Sequence, residues 1–184
     1  MIEIRPLVTY DREQSLRIGS QYTSAERYRV RRDETSDRIS FVLELEALEQ
    51  PYVRTWIWSD DEIEGLRRAV EEHGCSFGAY DGSELVGVLI AELRAWHEDL
   101  CVMDLQVRAD RHRQGIGRRL VDAAADRARS RGLRMVTCET QNTNVPAIRF
   151  YRSVGFELAG IDLWFYPPVI GEVALFMKRV VRGG

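Results

Sequence analysis

The stretch RHRQGIGRRL, Arg111 to Leu120, places two glycines one residue apart where a helix is about to begin, and crowds arginines into the same turn. Helix N-termini carry partial positive charge and favour Asp or Glu. A glycine inside a helix costs about 1 kcal/mol against alanine. A turn that breaks both rules is explained if it holds an anion. Free backbone N–H groups and the helix dipole point at the anion, and glycine lets it approach closely. Upstream, CVMDLQV (Cys101 to Val107) reads as a strand. Downstream, Ile116, Leu120, Ala124 and Ala128 recur at i+4 spacing, so one face of a helix is apolar until Gly132 stops it.

Three ligand classes use a strand, a glycine turn and a helix in this way. The ATP and GTP version needs GxxxxGK[ST], which the chain lacks. The dinucleotide version needs GxGxxG. Gly115 and Gly117 supply GxG, but residue 120 is Leu. The third version is the acetyl-coenzyme A loop, [QR]xxGxG or [QR]xxGxA, and HRQGIG (His112 to Gly117) aligns with it.

Outward from the turn, the chain reads as a mixed α/β layout in one domain. IEIRPL is a first strand, Asp11 to about Arg32 a helix, and Arg38 to Leu48 a strand. Ser59 and Glu62 form a capping box that opens an amphipathic helix ending near Gly74. Asp81-Gly82 joins two β-rich runs as a hairpin. After the glycine-turn helix, RMVTCET is a strand. Asn144 caps a helix with Pro146 at a tolerated early position, and Gly155 ends it. FELAGIDLWFY and EVALFMKRV are two last strands around Pro167-Pro168.

Bulk properties bound the function. With 184 residues, 45% hydrophobic and 30% charged, the composition is that of an ordinary globular protein. A net charge of −3 argues against a general nucleic-acid partner and suits a cationic ligand. No apolar run approaches a membrane span, and the N-terminal residues lack a signal-peptide layout. Cys75, Cys101 and Cys138 make neither a disulfide framework nor a zinc pattern, so no metal is expected and a reducing cytoplasm is the default. A homodimer is left open.

A second motif now gives the loop its meaning. NVPAIRFYRSVGFE (Asn144 to Glu157) resembles the N-x-x-A-x-x-[FL]-Y-x-x-x-G-F segment of the GNAT N-acetyltransferases, whose loop is the acetyl-CoA turn above. The resemblance covers Ser76 to Lys178. Residues 1–75 match in layout only, as the acceptor-side region that varies. ETQNTNVPAIRFYRSVGFELAGIDLWFY, the later EVALFMKR and the upstream EQPYVRTW are similar to the streptothricin acetyltransferase branch. One departure is His112, where the family usually has Arg or Gln.

The resemblance implies one α/β (α+β) GNAT domain over 1–184. Its sheet is mixed, largely antiparallel and twisted, is flanked by helices, and has two strands that splay apart at the acetyl-CoA site. It implies acetyl-CoA as cosubstrate and no metal. His112, Arg113, Gln114, Gly115, Ile116, Gly117 and Arg118 would surround the pyrophosphate. The pantetheine arm would lie along Leu105, Gln106 and Val107, with further contacts from Asn144 and Ala147.

Acetyl transfer from a thioester to an amine needs a proton taken from the amine, charge stabilised on the carbonyl oxygen, and a proton given to the thiolate. A lysine-type amine, with a pKa of about 10.4, is almost wholly protonated at neutral pH, so a base is useful. Asp104 and Glu139 are the candidate bases, and also candidate partners for a cationic amine. For the acid, the resemblance points to Tyr151, whose phenol is protonated at working pH; its alternative reading is a core aromatic. Asp162 and Trp164 are further candidates on the acceptor side. Trp56 to Trp58 and Leu163 to Tyr166 either line that side or pack the core. The expected reaction is N-acetylation of a small cationic amine, with streptothricin as the specific expectation. A protein or peptide α-amine, or a non-catalytic acetyl-CoA sensor, are the alternatives.

Overall fold

Alternation of two kinds builds most of this molecule. The computed structural model describes residues 1–168 and 171–181. Of the domain expected over 1–184, residues 169–170 and 182–184 lie outside the described residues. The elements run β1 (Ile2–Pro6), α1 (Arg12–Ile18), β2 (Gln21–Glu34), β3 (Ile39–Thr55), α2 (Asp60–His73), β4 (Phe77–Asp81), β5 (Glu84–Arg94) and β6 (Asp99–Val107). They continue through α3 (Ile116–Ser130), β7 (Met135–Gln141), α4 (Val145–Ser153), β8 (Glu157–Asp162) and β9 (Ala174–Val180). Hydrogen bonding orders the strands β1-β4-β5-β6-β7-β9-β8 in one sheet and β2-β3 in another. The expected mixed, largely antiparallel sheet with flanking helices is thus observed.

The chain divides into two compact units. The first comprises Met1–Ser20, Trp56–Cys138 and the residues from Lys178 on. In it β1, β4, β5 and β6 pair antiparallel in succession, and β6 pairs with β7 in parallel. Ser59 caps α2 through the capping box, and Gly74 ends the helix in the left-handed region at φ 57°. The apolar face of α2 (Ile63, Leu66, Ala69, Val70) packs with Leu7, Tyr10, Ile18, Val88 and Ile90, and Trp58 lies against this core. Ile116, Leu120, Ala124 and Ala128 are buried along one side of α3, as their spacing requires. Gly87 on β5 allows a close approach, because a Cβ there would stand 3.1 Å from the Gln106 carbonyl oxygen.

The second unit comprises Gln21–Thr55 and Glu139–Met177. Its β2–β3 hairpin corrects the expectation of a helix from Asp11 to Arg32. Only Arg12–Ile18 is helical, and the rest is strand. Cross-strand pairing supplies the reason. Tyr28 faces Leu45 and Val30 faces Leu43, while on the alternate face Arg27, Arg29 and Arg31 form ion pairs with Glu44 and Glu46. A period of two satisfies both faces at once. The strand expected over Arg38–Leu48 accordingly runs on to Thr55. The strand expected over Phe156–Tyr166 stops at Asp162, whose carboxylate accepts the Trp164 N–H at 2.8 Å and turns the chain.

Candidate active site

In the first unit the glycine turn is built on the end of β6. Arg113 (φ 65°) and Gly115 (φ 75°) are both left-handed, one on each side of Gln114. His112 Nε2 lies 2.6 Å from the Val107 carbonyl oxygen, which ties the turn to its strand. Ile116 is buried and seats the first turn of α3. The helical ladder opens with the Arg119 N–H bonding to the Gly115 carbonyl. The N–H groups of Ile116 and Gly117 precede that ladder, where a helix has donors that can meet an outside acceptor. Arg111 pairs with Asp81 at 2.9 Å, and Arg108 pairs with Asp110 and Glu84. Arg113, Gln114 and Arg118 are exposed.

The strand before the turn is paired unequally. The antiparallel register of β6 with β5 runs through Asp104, Leu105, Gln106 and Val107. Its parallel register with β7 covers four pairs, from Asp99–Met135 to Val102–Cys138. Along Met103–Val107 that leaves one side of the strand as an edge able to accept an extended ligand. Asp104 is buried on this stretch and shares a face with Gln106, as the alternation required. Gln106 Nε2 donates to Asp104 Oδ1 at 3.1 Å and to Ser20 Oγ at 3.0 Å. Asp104 Oδ2 has no hydrogen-bond partner among the described residues. Burial pushes the Asp104 carboxyl up to about 6, against the Gln106 amide and the Leu105 N–H, which favour the charged form. Tyr10, itself buried, is pushed up to about 12 by burial and by the Asp104 charge.

The second unit holds the remaining candidates. Asn144 caps α4 by accepting the Ala147 N–H at 3.1 Å. Tyr151 is buried on α4, with its ring 5.4 Å from that of Phe150 and 5.2 Å from that of Phe156. Glu139, half-buried on β7, accepts a hydrogen bond from the Tyr166 hydroxyl, which in turn accepts from Gln141 Nε2 at 2.5 Å. Burial and the Glu172 carboxylate raise Glu139 to about 7, although the Tyr166 bond and the Arg54 charge act the other way. Burial and the Glu139 carboxylate raise the Tyr166 phenol, so it stays a donor. Asp162 bonds within the turn after β8, and Trp164 in that turn is exposed.

The family model for the Acetyltransferase (GNAT) family matches residues 30–156. That span contains β6, the glycine turn, Glu139, Asn144 and Tyr151. The chain belongs to the GNAT acetyltransferase family. This GNAT acetyltransferase is 35% identical over 130 residues to a streptothricin acetyltransferase of Escherichia coli, covering 68% of this chain and 69% of that protein. It is 38% identical over 97 residues to a streptothricin acetyltransferase of Streptomyces lavendulae, covering 52% of this chain and 51% of that one. In fold it is similar to a crystal structure of nourseothricin acetyltransferase, with TM-score 0.79 and 28% identity over 98% of this chain and 99% of that one.

Residue-by-residue reading missed the second unit's polar centre. Glu172 is buried. Its Oε2 accepts from Arg54 Nη1 at 2.6 Å, and its Oε1 accepts from Thr143 Oγ1 at 2.6 Å and Tyr52 OH at 3.1 Å. The Tyr22 hydroxyl stands 2.6 Å from Thr143 Oγ1 and 3.3 Å from Glu172 Oε1. A signal was present. Tyr52 and Arg54 lie in EQPYVRTW, Thr143 lies in ETQNTN, and Glu172 begins EVALFMKR. Those separated segments meet at one carboxylate.

Proposed function

We propose that this GNAT acetyltransferase transfers the acetyl group of acetyl-CoA to a primary amine of a small cationic acceptor, and that the acceptor is streptothricin. The observation that carries the donor half lies within one unit: the one-sided strand Met103–Val107 runs directly into a left-handed turn that opens α3. A pyrophosphate suits the N–H groups of that turn. The pantetheine arm suits the free edge of β6 as an added strand, with the acetyl carbonyl oxygen taking a backbone N–H of Leu105–Val107.

In the reaction the amine nitrogen attacks the thioester carbon. The C–N bond forms and the C–S bond breaks. The proton shed by the amine passes to Glu139, and the leaving thiolate takes a proton from Tyr151. Glu139, held near 7, is poised at neutral pH between accepting a proton and pairing with an ammonium. Asp104 is the second candidate for these roles. Its unsatisfied oxygen is an acceptor awaiting a donor. The likeness to streptothricin acetyltransferases supports the choice of acceptor, and so does the acidic character of Glu139. N-acetylation of the antibiotic would make the protein a resistance enzyme.

The test is product analysis after incubation with acetyl-CoA and streptothricin, beside polyamines, amino acids and short peptides. The expected product is streptothricin carrying one acetyl group on its β-lysine amine. Acetylated peptide with untouched streptothricin would overturn the acceptor and keep the chemistry.

A further inference from the structure

We propose that Tyr166 is a positioning residue for the reaction: its hydroxyl, clamped between Gln141 Nε2 and Glu139 Oε1, fixes the Glu139 carboxylate so that Oε2 is the oxygen that takes the amine proton. This rests on the reading that Glu139 meets the amine. Every residue involved lies in the second unit.

The strand sets up the clamp. Glu139 and Gln141 are two residues apart on β7, so their side chains leave the same face. Tyr166 arrives from the turn after β8 and bridges the two. That turn is itself fastened. Asp162 accepts the Trp164 N–H at 2.8 Å. Phe165 meets the ring of Phe176 on β9 edge-on at 5.6 Å and the Tyr166 ring at 5.1 Å. The phenol therefore reaches β7 from a backbone and rings already held, so its hydroxyl has little freedom to swing away.

The hydrogens fix the direction of both bonds. An amide nitrogen only donates, so Gln141 Nε2, 2.5 Å away, occupies a lone pair of the hydroxyl oxygen. The single hydroxyl hydrogen is left for Glu139 Oε1. A hydrogen bond donated to a carboxylate is charge-assisted and favours the ionised form. Tyr166 keeps this hydrogen throughout, because burial and the Glu139 charge hold its phenol protonated. With Oε1 engaged, proton exchange falls to Oε2. A freely rotating carboxylate presents either oxygen, and the clamp removes that freedom before the amine arrives. The charges of Glu172 and Arg54 also act on Glu139, in opposite directions, and the substitutions that test the clamp leave both in place.

The test is a double-mutant cycle in the full chain, with Tyr166→Phe, Glu139→Gln and the two together, read as kcat/KM for streptothricin across pH. Tyr166→Phe keeps the ring that meets Phe165 and removes only the hydroxyl. It is expected to lower kcat/KM about 10-fold at neutral pH. The midpoint of the rising limb should move up by about half a pH unit or more, since a donor to the charged form is lost. KM for acetyl-CoA should stay unchanged. In the Glu139→Gln background the same substitution should cost less than about twofold, because the group it acts through is gone. The proposal is overturned if the midpoint stays in place, or if the loss is as large without Glu139 as with it, which is the pattern of a merely structural role. Should Tyr166→Phe fail to fold, Gln141→Leu in the same two backgrounds decides, with a loss expected only where Glu139 is present and an equal loss in both overturning the clamp. Failure of the underlying reading looks different: Glu139→Gln would keep the wild-type kcat/KM. If the wild type releases no CoA with streptothricin, that acceptor alone is discarded, and the carboxyl carbon-13 titration of Glu139 decides: its midpoint should rise in Tyr166→Phe, and no rise overturns the clamp.

Discussion

Tyr151 separates catalysis from packing most sharply at the level of single residues. Its ring belongs to the Phe150–Phe156 cluster, so Tyr151→Phe keeps the packing and removes only the hydroxyl. Turnover is expected to fall by roughly 10²-fold or more, with acetyl-CoA affinity nearly unchanged, as steady-state kinetics and calorimetry would show. Glu139 gives a second expectation. Because it is raised to about 7, kcat/KM should climb as pH rises through neutrality and the carboxyl ionises. Glu139→Gln should flatten that limb, and a pH–rate profile checks it. Asp104 affects stability. The folded protein holds its proton up to about 6 against an ordinary 3.8. Between those values the native state binds more protons than the unfolded chain, so this group's contribution is full at low pH and is lost as pH rises through the window, by on the order of 3 kcal/mol. Asp104→Asn should therefore unfold at higher temperature than wild type above pH 6, with the difference vanishing near pH 4. Asp104, Glu139 and Tyr151 could each be singled out from the sequence by residue type and motif. Glu172 could not, because nothing local distinguishes it from any glutamate at the start of a strand. Its meaning comes from Arg54, Tyr52 and Thr143, which are far away in the chain.

Among the elements, α3 and α4 were legible because their starts carry local chemistry. Gly115 takes a left-handed φ, Asn144 caps through its own side chain, and the apolar spacing of α3 is regular. The β2–β3 hairpin was not legible from Asp11 to Arg32. Arginines alternate there with Tyr28 and Val30, and the pattern gains meaning only from Glu44 and Glu46 on the partner strand. Alternating charge pairs are a property of two strands together, and a helix reading of one strand cannot see them. At the glycine turn, Gly115→Ala tests conformation with little steric interference, since an added Cβ meets nothing within 4 Å. The left-handed φ should cost about 1–2 kcal/mol, lowering the melting temperature by a few degrees. If the turn binds pyrophosphate, KM for acetyl-CoA should rise more than kcat falls. A loss of kcat alone would remove the turn from cofactor binding.

At the scale of the whole molecule, the chain has two compact units whose chemistry differs in kind. The first offers backbone N–H groups and a strand edge, a surface suited to a long anionic cofactor. The second offers carboxylates and phenols around Glu139 and Glu172, a surface suited to a cation. The family came through in the sequence because its motifs lie on the first surface and on α4. The proposed acceptor did not, because the polar groups proposed to meet it, from Tyr22 and Arg54 to Glu139 and Glu172, are far apart in the chain and only folding brings them together. The net charge of −3 agrees with a cationic acceptor without choosing one. The central claim is acetyl transfer from acetyl-CoA to a cationic amine, and steady-state release of CoA from acetyl-CoA tests it most directly. The measurement is kcat/KM with streptothricin set against polyamines, amino acids and short peptides. The expected result is acceptor-dependent CoA release that is strongest with streptothricin; acetyl-CoA that binds yet yields no CoA with streptothricin or any other amine would contradict the account.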